Sequence, residues 1–423
     1  MGQIKGGILQ EMGLSNEAAK LYRPEMHIPF PLEEYKSRMT KVKEEMARQR
    51  VDLLYCSAPE SLFYLTGYEN SWYEAQSCKE WPPLSGVAIK QDADKFILFD
   101  KGEEEVLVQT YSIATDVRIQ RDELPMSRFE FIIKNLKEEG WLKNTVGLEK
   151  RSYRPNPAVS QMFQAALEKE GCKVVDSTDI VREIRTTKSP QEMAYIRTAA
   201  KIADIGMKAA IEHIRPGMTE LDVRAEMDYA CAKAGGENPG LPTYVLAGQR
   251  SALAHGLAST HVIMPGDIVY LDLCGVYHRY HADLARTLSL GAPHPDVARK
   301  IDLSAKAFPV LLKAIKPGCP INDANKAMEC YYKEVGIWGD SWWVGGYDMG
   351  IAFPPDWVGV FSYAPGHDAG DRTFPPGTVV NYESDFYLPQ GAGLSPIMDT
   401  IAVTEDSVEI LSKISQDLIV VEA

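Results

Sequence analysis

Asp272 and Asp283 stand eleven residues apart in PGDIVYLDLCGVYHRYHAD (265–283), on either side of a polar stretch. Val269, Tyr270 and Leu271 ahead of Asp272 favour a strand, and Gly275 is read as the bend that returns the chain. On neighbouring strands the two carboxylates converge on one point in a core. A charge buried there costs several kcal/mol unless something pairs with it. A metal, a cationic substrate or a shared proton can be that partner. His255, in LAHGLAST, precedes the first of these strands and can reach the same cavity. His281 shares a strand face with Asp283 at a spacing of two. Acids with a histidine fit a two-metal hydrolytic centre, in which bridging carboxylates activate a water. They equally fit a metal-free site in which the acids hold a cation and the histidine moves protons.

The elements that must position these groups come from an internal repeat. IRPGMTELDVRAEM (214–227) and IKPGCPINDANKAM (315–328) share Ile, Pro, Gly, Asp and Met, and each ends one helix at Pro-Gly and opens another. A second echo, PGDIVYLD (265–272) and PGTVVNYE (376–383), sets Glu383 where the first copy has Asp272. The two copies are expected to be related by a pseudo-twofold, with helices outside a curved antiparallel sheet and acids facing each other at its centre. Ahead of the repeat, Ser189-Pro190-Gln191-Glu192 is a capping box with proline in the first turn. It opens a long helix whose stripe of Met193, Ile196, Ala200, Ala203, Met207 and Ile211 is buried.

In the first half, helices at about 32–50, 59–64, 129–136 and 158–170 alternate with strands at 52–56, 87–89, 96–99, 145–149 and 173–176, which implies an α/β layer. The domains are read as an arm over 1–31, an α/β domain over 32–187 and a catalytic domain over 188–423. Tyr68, Trp72, Tyr73 and Trp81 crowd the loop Gly67–Pro83, either as an internal mini-core or to cover a pocket or partner.

A chain of 423 residues exceeds one ordinary core, which favours two domains. With 45% apolar and 25% charged residues it has the composition of a globular protein, and a net charge of −14 argues against nucleic acid or an anionic membrane as partner. No stretch approaches the roughly 20 apolar residues of a membrane span. Glu11 interrupts the opening residues, which do not read as a secretory signal. Seven cysteines without a CxxC pair read as reduced thiols in a cytoplasm, Cys274 among them as a buried structural thiol.

With these residues in view, the second half resembles the pita-bread fold of the creatinase, methionine aminopeptidase and prolidase (M24 peptidase-like) superfamily. The first half resembles the smaller α/β domain that precedes it in the creatinase and prolidase branch. The fold class implied is α+β. YLTGY (64–68), GVYHRYH (275–281) and GYDMGIAFPPDW (346–357) are most similar to the ectoine hydrolase subfamily. Metallopeptidases of the superfamily use two aspartates, a histidine and two glutamates as ligands. The resemblance sets the aspartates on Asp272 and Asp283 and the first glutamate on Glu383, but the histidine on Tyr347 and the last glutamate on Met398. A phenol and a thioether do not suit Zn, Mn or Co in a carboxylate site. Asp348 and Asp399 are adjacent, but strand neighbours point to opposite faces.

The metal-free members of the superfamily imply His255 as proton shuttle, with Asp272, Asp283 and Glu383 as binding and catalytic carboxylates. In creatinase the acids matching Asp283 and Glu383 hold the guanidinium. Tyr347, His281, Trp357, Tyr68 and Trp72 are the expected substrate contacts, Trp357 because Pro354-Pro355 cannot lie mid-strand and shapes a pocket rim. Trp342 and Trp343 are read as core or pocket wall, His278 as a solvated turn, and His367 as a surface loop. The function expected is hydrolysis of a C–N bond in a small zwitterionic or cationic amide, amidine or lactam. No cofactor is expected, with a weak divalent metal on Asp272, Asp283 and Glu383 as the variant. The alternatives are a metal-dependent Xaa-Pro dipeptidase with a degenerate site, a DMSP-lyase-like enzyme and an inactive ligand-binding homologue. Relatives are homodimers, and a homodimer is expected here.

Overall fold

Short apolar runs between capped helices build the first part of the chain. The structure, a computed structural model, describes residues 26–71, 73, 84–121, 126–142, 144–152 and 154–422. The expectations for Trp72, Trp81 and the arm as far as residue 25 lie outside the described residues. The chain divides into two compact units, Met1–Ile184 and Arg185–Ala423.

In the first unit, helix α1 (Leu32–Gln49) leads to β1 (Leu53–Cys56), α2 (Pro59–Thr66) and the hairpin β2 (Gly86–Lys90) and β3 (Phe96–Lys101). After α3 (Glu105–Tyr111) come β4 (Val117–Gln120), α4 (Arg128–Glu138), β5 (Thr145–Leu148), α5 (Pro157–Lys169), β6 (Lys173–Asp176) and α6 (Thr178–Ile184). The six-stranded sheet runs β4-β3-β2-β1-β5-β6. It is mixed, with β1 antiparallel to β2 and parallel to β5. Ser127 and Asn156 cap α4 and α5, and their apolar faces close the core around Tyr55, Phe99, Phe163 and Leu167.

In the second unit, α7 (Pro190–His213) starts at the capping box of Ser189 and Glu192. The rest follows in order: α8 (Glu220–Lys233), β7 (Tyr244–Ala247), β8 (Ile268–Tyr277), β9 (Tyr280–Leu290), α9 (Pro295–Ala305), α10 (Ala307–Ala314), α11 (Ile321–Glu334), β10 (Ser341–Tyr347), β11 (Ser362–Tyr363), β12 (Val379–Tyr387), β13 (Leu394–Ser395), β14 (Met398–Val403), β15 (Val408–Ile410) and β16 (Ile419–Val421). The main path of the sheet is β11-β10-β12-β14-β9-β8-β7. It is nearly symmetric about the β14–β9 junction, where Met398 faces Ala285 and Asp399 faces Leu284. The repeat reappears in its bridges: Thr219 pairs with Val262 just ahead of α8, and Pro320 with Thr373 just ahead of α11. Two apolar clusters hold the halves, one around Met207, Val223 and Leu271 and the other around Phe308, Met328 and Ile401.

Gly275 is not the bend. It lies inside β8, where a Cβ would meet the carbonyl oxygen of Ala199 on α7 at 2.0 Å. The glycine is there because a helix crosses the strand at that point. The turn is His278-Arg279, both in the left-handed region at φ 46° and 62°. Non-glycine residues visit that region at a cost. The carboxylate of Glu237 offsets it by accepting both of their N–H groups at 2.9 Å. Among the described residues no helix is long and apolar enough to cross a membrane.

Candidate active site

Strand alternation decides which side chains meet on the concave face. On β8 the residues at a spacing of two are Tyr270 and Asp272, and on β12 they are Asn381, Glu383 and Asp385. A cavity of about 490 Å³ opens there, lined by His255, Tyr270, Asp272, Tyr347, Glu383 and Met398. Tyr244, Trp342, Trp343 and Trp357 complete an aromatic wall.

Each acid has a different set of partners. Asp272 accepts the Tyr270 hydroxyl on Oδ2 at 3.3 Å and is hydrogen-bonded side chain to side chain with Asp283. Asp283 is not one of the lining side chains. Its Oδ2 accepts Asn381 Nδ2 at 3.0 Å and the Tyr347 hydroxyl at 3.3 Å, and the Cys274 thiol lies 3.8 Å from its Oδ1. The same Asn381 amide donates to Glu383 Oε1 at 2.9 Å. Tyr347 in turn accepts Trp357 Nε1 at 3.0 Å, and its N–H donates to Asn381 Oδ1 at 2.7 Å. Asn381 is therefore the hub that sets the spacing of two acids and a phenol.

Burial is the first cause of every shift in this cluster. It raises Asp272 well above the ordinary carboxylate range, with Asp283 and Glu383 adding to the rise. Burial raises Asp283 too, against the hydrogen bonds from Asn381 and Tyr347. Glu383 is pushed up to about 8, by burial and then by Asp283. Burial, Asp283 and Glu383 hold the Tyr347 phenol well above its usual value. At neutral pH such a cluster retains protons that an incoming cation would displace.

His255 follows a short helical turn (Gly248–Leu253) and is exposed at the cavity, with its ring edge-on to Trp342 at 5.3 Å. Glu220 fixes this segment by accepting from Ala247 N and Ser259 N at 3.0 Å and from Arg250 Nε at 2.9 Å.

Two expected substrate contacts are corrected. His281 is fully buried, its Nε2 accepts Gly240 N–H at 2.9 Å, and its Nδ1 meets the Arg279 carbonyl at 2.9 Å. With both nitrogens engaged, and a pKa lowered to about 3 by burial and then Arg279, it is a neutral structural histidine. Tyr68 is buried in the first unit, where its hydroxyl donates to Asp100 Oδ2 at 2.5 Å. His278 lies in the turn, half-buried, with its ring against Tyr195 and Tyr277.

Sequence reasoning passed over Asn381, Tyr270 and Asp385. All three were within reach of strand alternation counted from Asp272 and Glu383. Asp348 and Asp399 are engaged elsewhere: Lys188 pairs with Asp348 in the core, and Arg286 Nη2 with Asp399 at 3.0 and 3.1 Å.

The fold and this acidic face define a creatinase/prolidase-type hydrolase. The profile of metallopeptidase family M24 matches residues 194–405, and that of the creatinase/prolidase N-terminal domain matches residues 38–187. The chain belongs to family M24 and is a hydrolase of that superfamily. It is 27% identical over 386 residues to an Xaa-Pro dipeptidase of Pyrococcus furiosus, covering 91% of this chain and all of that one. It is likewise 27% identical over 414 residues to an ectoine hydrolase of Halomonas elongata, covering 94% of this chain and 99% of the relative. Among solved structures, the X-Pro aminopeptidase of Thermotoga maritima superposes with a TM-score of 0.76 at 22% identity, over 90% of this chain and 99% of that one.

Family M24 implies a metal, so the donor set matters. Tyr347 and Met398 stand in the cavity wall where the family pattern wants a histidine and a glutamate. Asn381 donates to both Asp283 and Glu383, using acceptor sites a metal would need. Among the described residues no three His, Cys, Asp or Glu side chains are grouped so as to hold a metal ion. The residues present do not fit a two-metal centre.

Proposed function

We propose that this chain hydrolyses a C–N bond in a small cationic or zwitterionic nitrogen compound without a resident metal. The observation that carries this reading is the Asn381–Tyr347 network, which ties Asp283 and Glu383 to protein donors. The acids hold the positive charge of the substrate, and the aromatic wall covers its apolar part. His255 takes a proton from water as the oxygen adds to the carbon. It then returns that proton to the nitrogen as the C–N bond breaks. The ectoine hydrolase relative supports this reading. A metal-dependent dipeptidase is the second reading, favoured by the similarity to Xaa-Pro dipeptidases along most of the chain.

Metal analysis of protein purified without added metal separates the two. Turnover of an amide, lactam or guanidine that survives a chelator supports the first. Stoichiometric bound metal, with activity lost to the chelator, overturns it. A cytoplasmic homodimer is also proposed. The exposed Leu253, Leu257, Val262 and Met264 support an interface, and a monomer mass by light scattering would end that proposal.

A further inference from the structure

Half of the side chains that line the cavity are aromatic, and among the described residues no lysine or arginine lines it. Two of the rings stand there against the ordinary alternation of a strand. Trp342 and Trp343 are neighbours on β10 and should face opposite sides of the sheet. The pairing of β10 with β12 slips between Ser341 and Trp343, and this irregularity lets both indoles line the cavity. Trp357 is fixed by its bond to Tyr347, and Tyr347 by its bond to Asp283. Tyr270 is tied to Asp272 in the same way. The polar ends of these three side chains are spent on protein partners, and what they offer a ligand is ring surface. A ring face attracts a cation. Elsewhere in the chain arginines take that place, Arg38 over Phe30 at 4.0 Å, Arg279 over Phe353 at 4.7 Å and Arg372 over Phe361 at 4.6 Å. The cavity lining brings no such partner to its own rings.

We propose that this cavity binds a quaternary ammonium group, with the aromatic wall as its contact surface. Such a head carries no N–H and asks for no acceptor, whereas a primary ammonium is compact and strongly hydrated. The acids suit it, because each already accepts from a protein donor: Asp272 from Tyr270, Asp283 from Tyr347 and Asn381, and Glu383 from Asn381. They act on the cation through their field, which a low-dielectric site strengthens. A primary ammonium or a guanidinium would have to share those oxygens with the protein donors. Met398 adds a polarizable thioether for the methyl groups. His255, edge-on to Trp342 at 5.3 Å, sets the proton-transfer group beside the wall. On the proposed C–N hydrolysis, on which this assignment rests, the substrate class is a small amide that carries an N-trimethylated ammonium.

Calorimetric titration of the full chain reads binding without turnover. The probes are choline, its uncharged carbon isostere dimethylbutanol, and ethanolamine. Choline should bind saturably, and the other two roughly tenfold more weakly or not at all. Trp343→Leu should weaken choline by about tenfold and Trp343→Phe by less, with ethanolamine unaffected. Trp342→Leu is the second variant if Trp343→Leu does not fold, and the probe series on the parent needs neither. Equal binding of dimethylbutanol overturns the proposal, since the wall is then merely apolar. Equal binding of ethanolamine overturns it, since the acids then select the head. Absence of saturable choline binding, or choline binding unchanged in the leucine variants, overturns it too. Saturable choline binding in a protein that hydrolyses no C–N bond supports the assignment and removes the catalytic reading. Hydrolysis of uncharged amides without choline binding overturns the assignment and leaves the catalytic reading standing.

Discussion

The two halves of the sheet share a frame and differ in chemistry. In the β8–β9 half, Asp272 and Asp283 stand on adjacent strands. In the β12–β14 half, Glu383 faces Met398, and its further polar groups, Asn381 and Asp385, lie on its own strand. The shared frame is enforced by backbone geometry: paired helix starts after Pro-Gly and a β14–β9 junction near the symmetry axis. The chemistry is free to diverge because an inward side chain can change without altering the register. One half has kept two acids on neighbouring strands, and the other has exchanged a cross-strand acid for a thioether. Glu383, with a thioether rather than an acid across the strand, is tied instead to Asn381, which bridges it to Asp283 in the other half.

The sharpest break is expected from the first half. His255→Ala should lower kcat by roughly 10²–10⁴-fold, the range for losing a positioned acid–base group, with the unfolding midpoint unchanged because the ring is exposed. Steady-state kinetics on the best substrate from an amide and guanidine panel measures it, and retained turnover removes His255 from the mechanism. In the second half the largest effect is on stability. Asp348→Asn leaves Lys188 without its counter-ion in a fully buried pair, which should cost about 3–5 kcal/mol in urea unfolding. A loss below about 1 kcal/mol would show that water reaches the lysine.

The difference between the halves can also be reversed. Tyr347→His with Met398→Glu restores a five-donor set with Asp272, Asp283 and Glu383. This double variant should bind zinc or cobalt stoichiometrically where the parent does not, as read by elemental analysis and the cobalt absorption spectrum. If the variant stays metal-free, the acids are held too far apart by Asn381 for a pair of ions, and the comparison rests on spacing rather than on donor type.

Much of this frame was legible in the sequence, because its signals are local. Ser189 with Glu192, the two Pro-Gly helix starts and the echo around Asp272 and Glu383 each act within a few residues. What escaped depends on distant contacts. Gly275 looks like a turn residue until the Ala199 carbonyl is seen above it. The His278-Arg279 turn has no glycine, because Glu237, forty-one residues away from His278, supplies its acceptors. His281 has the right alternation for the site, but the Gly240 amide, equally far in sequence, takes its free nitrogen. Asp385 needed no distant contact, only the alternation carried one step past Glu383.

The smallest expected effect is a pH dependence, and it reports on the charge state of the second half. In the folded chain without ligand, Glu383 is raised to about 8, against an ordinary value near 4.3. Between those values the folded state holds a proton that the unfolded state has lost, so this group makes stability fall as pH rises from the lower value to the higher. Below the lower value its contribution is constant, and above the higher its full penalty is present. A bound cation reverses the preference, because it favours the carboxylate. Affinity for a cationic ligand should therefore rise with pH towards 8 and then level off, by at most about tenfold per pH unit for a single proton. Calorimetric titration from pH 6 to 9, on the parent and on Glu383→Gln, measures it. The glutamine variant should bind more weakly, with a flatter profile. An identical slope in both would assign the titration to another of the buried acids, Asp272, Asp283 or Asp385, and remove Glu383 as the acid that yields its proton to substrate.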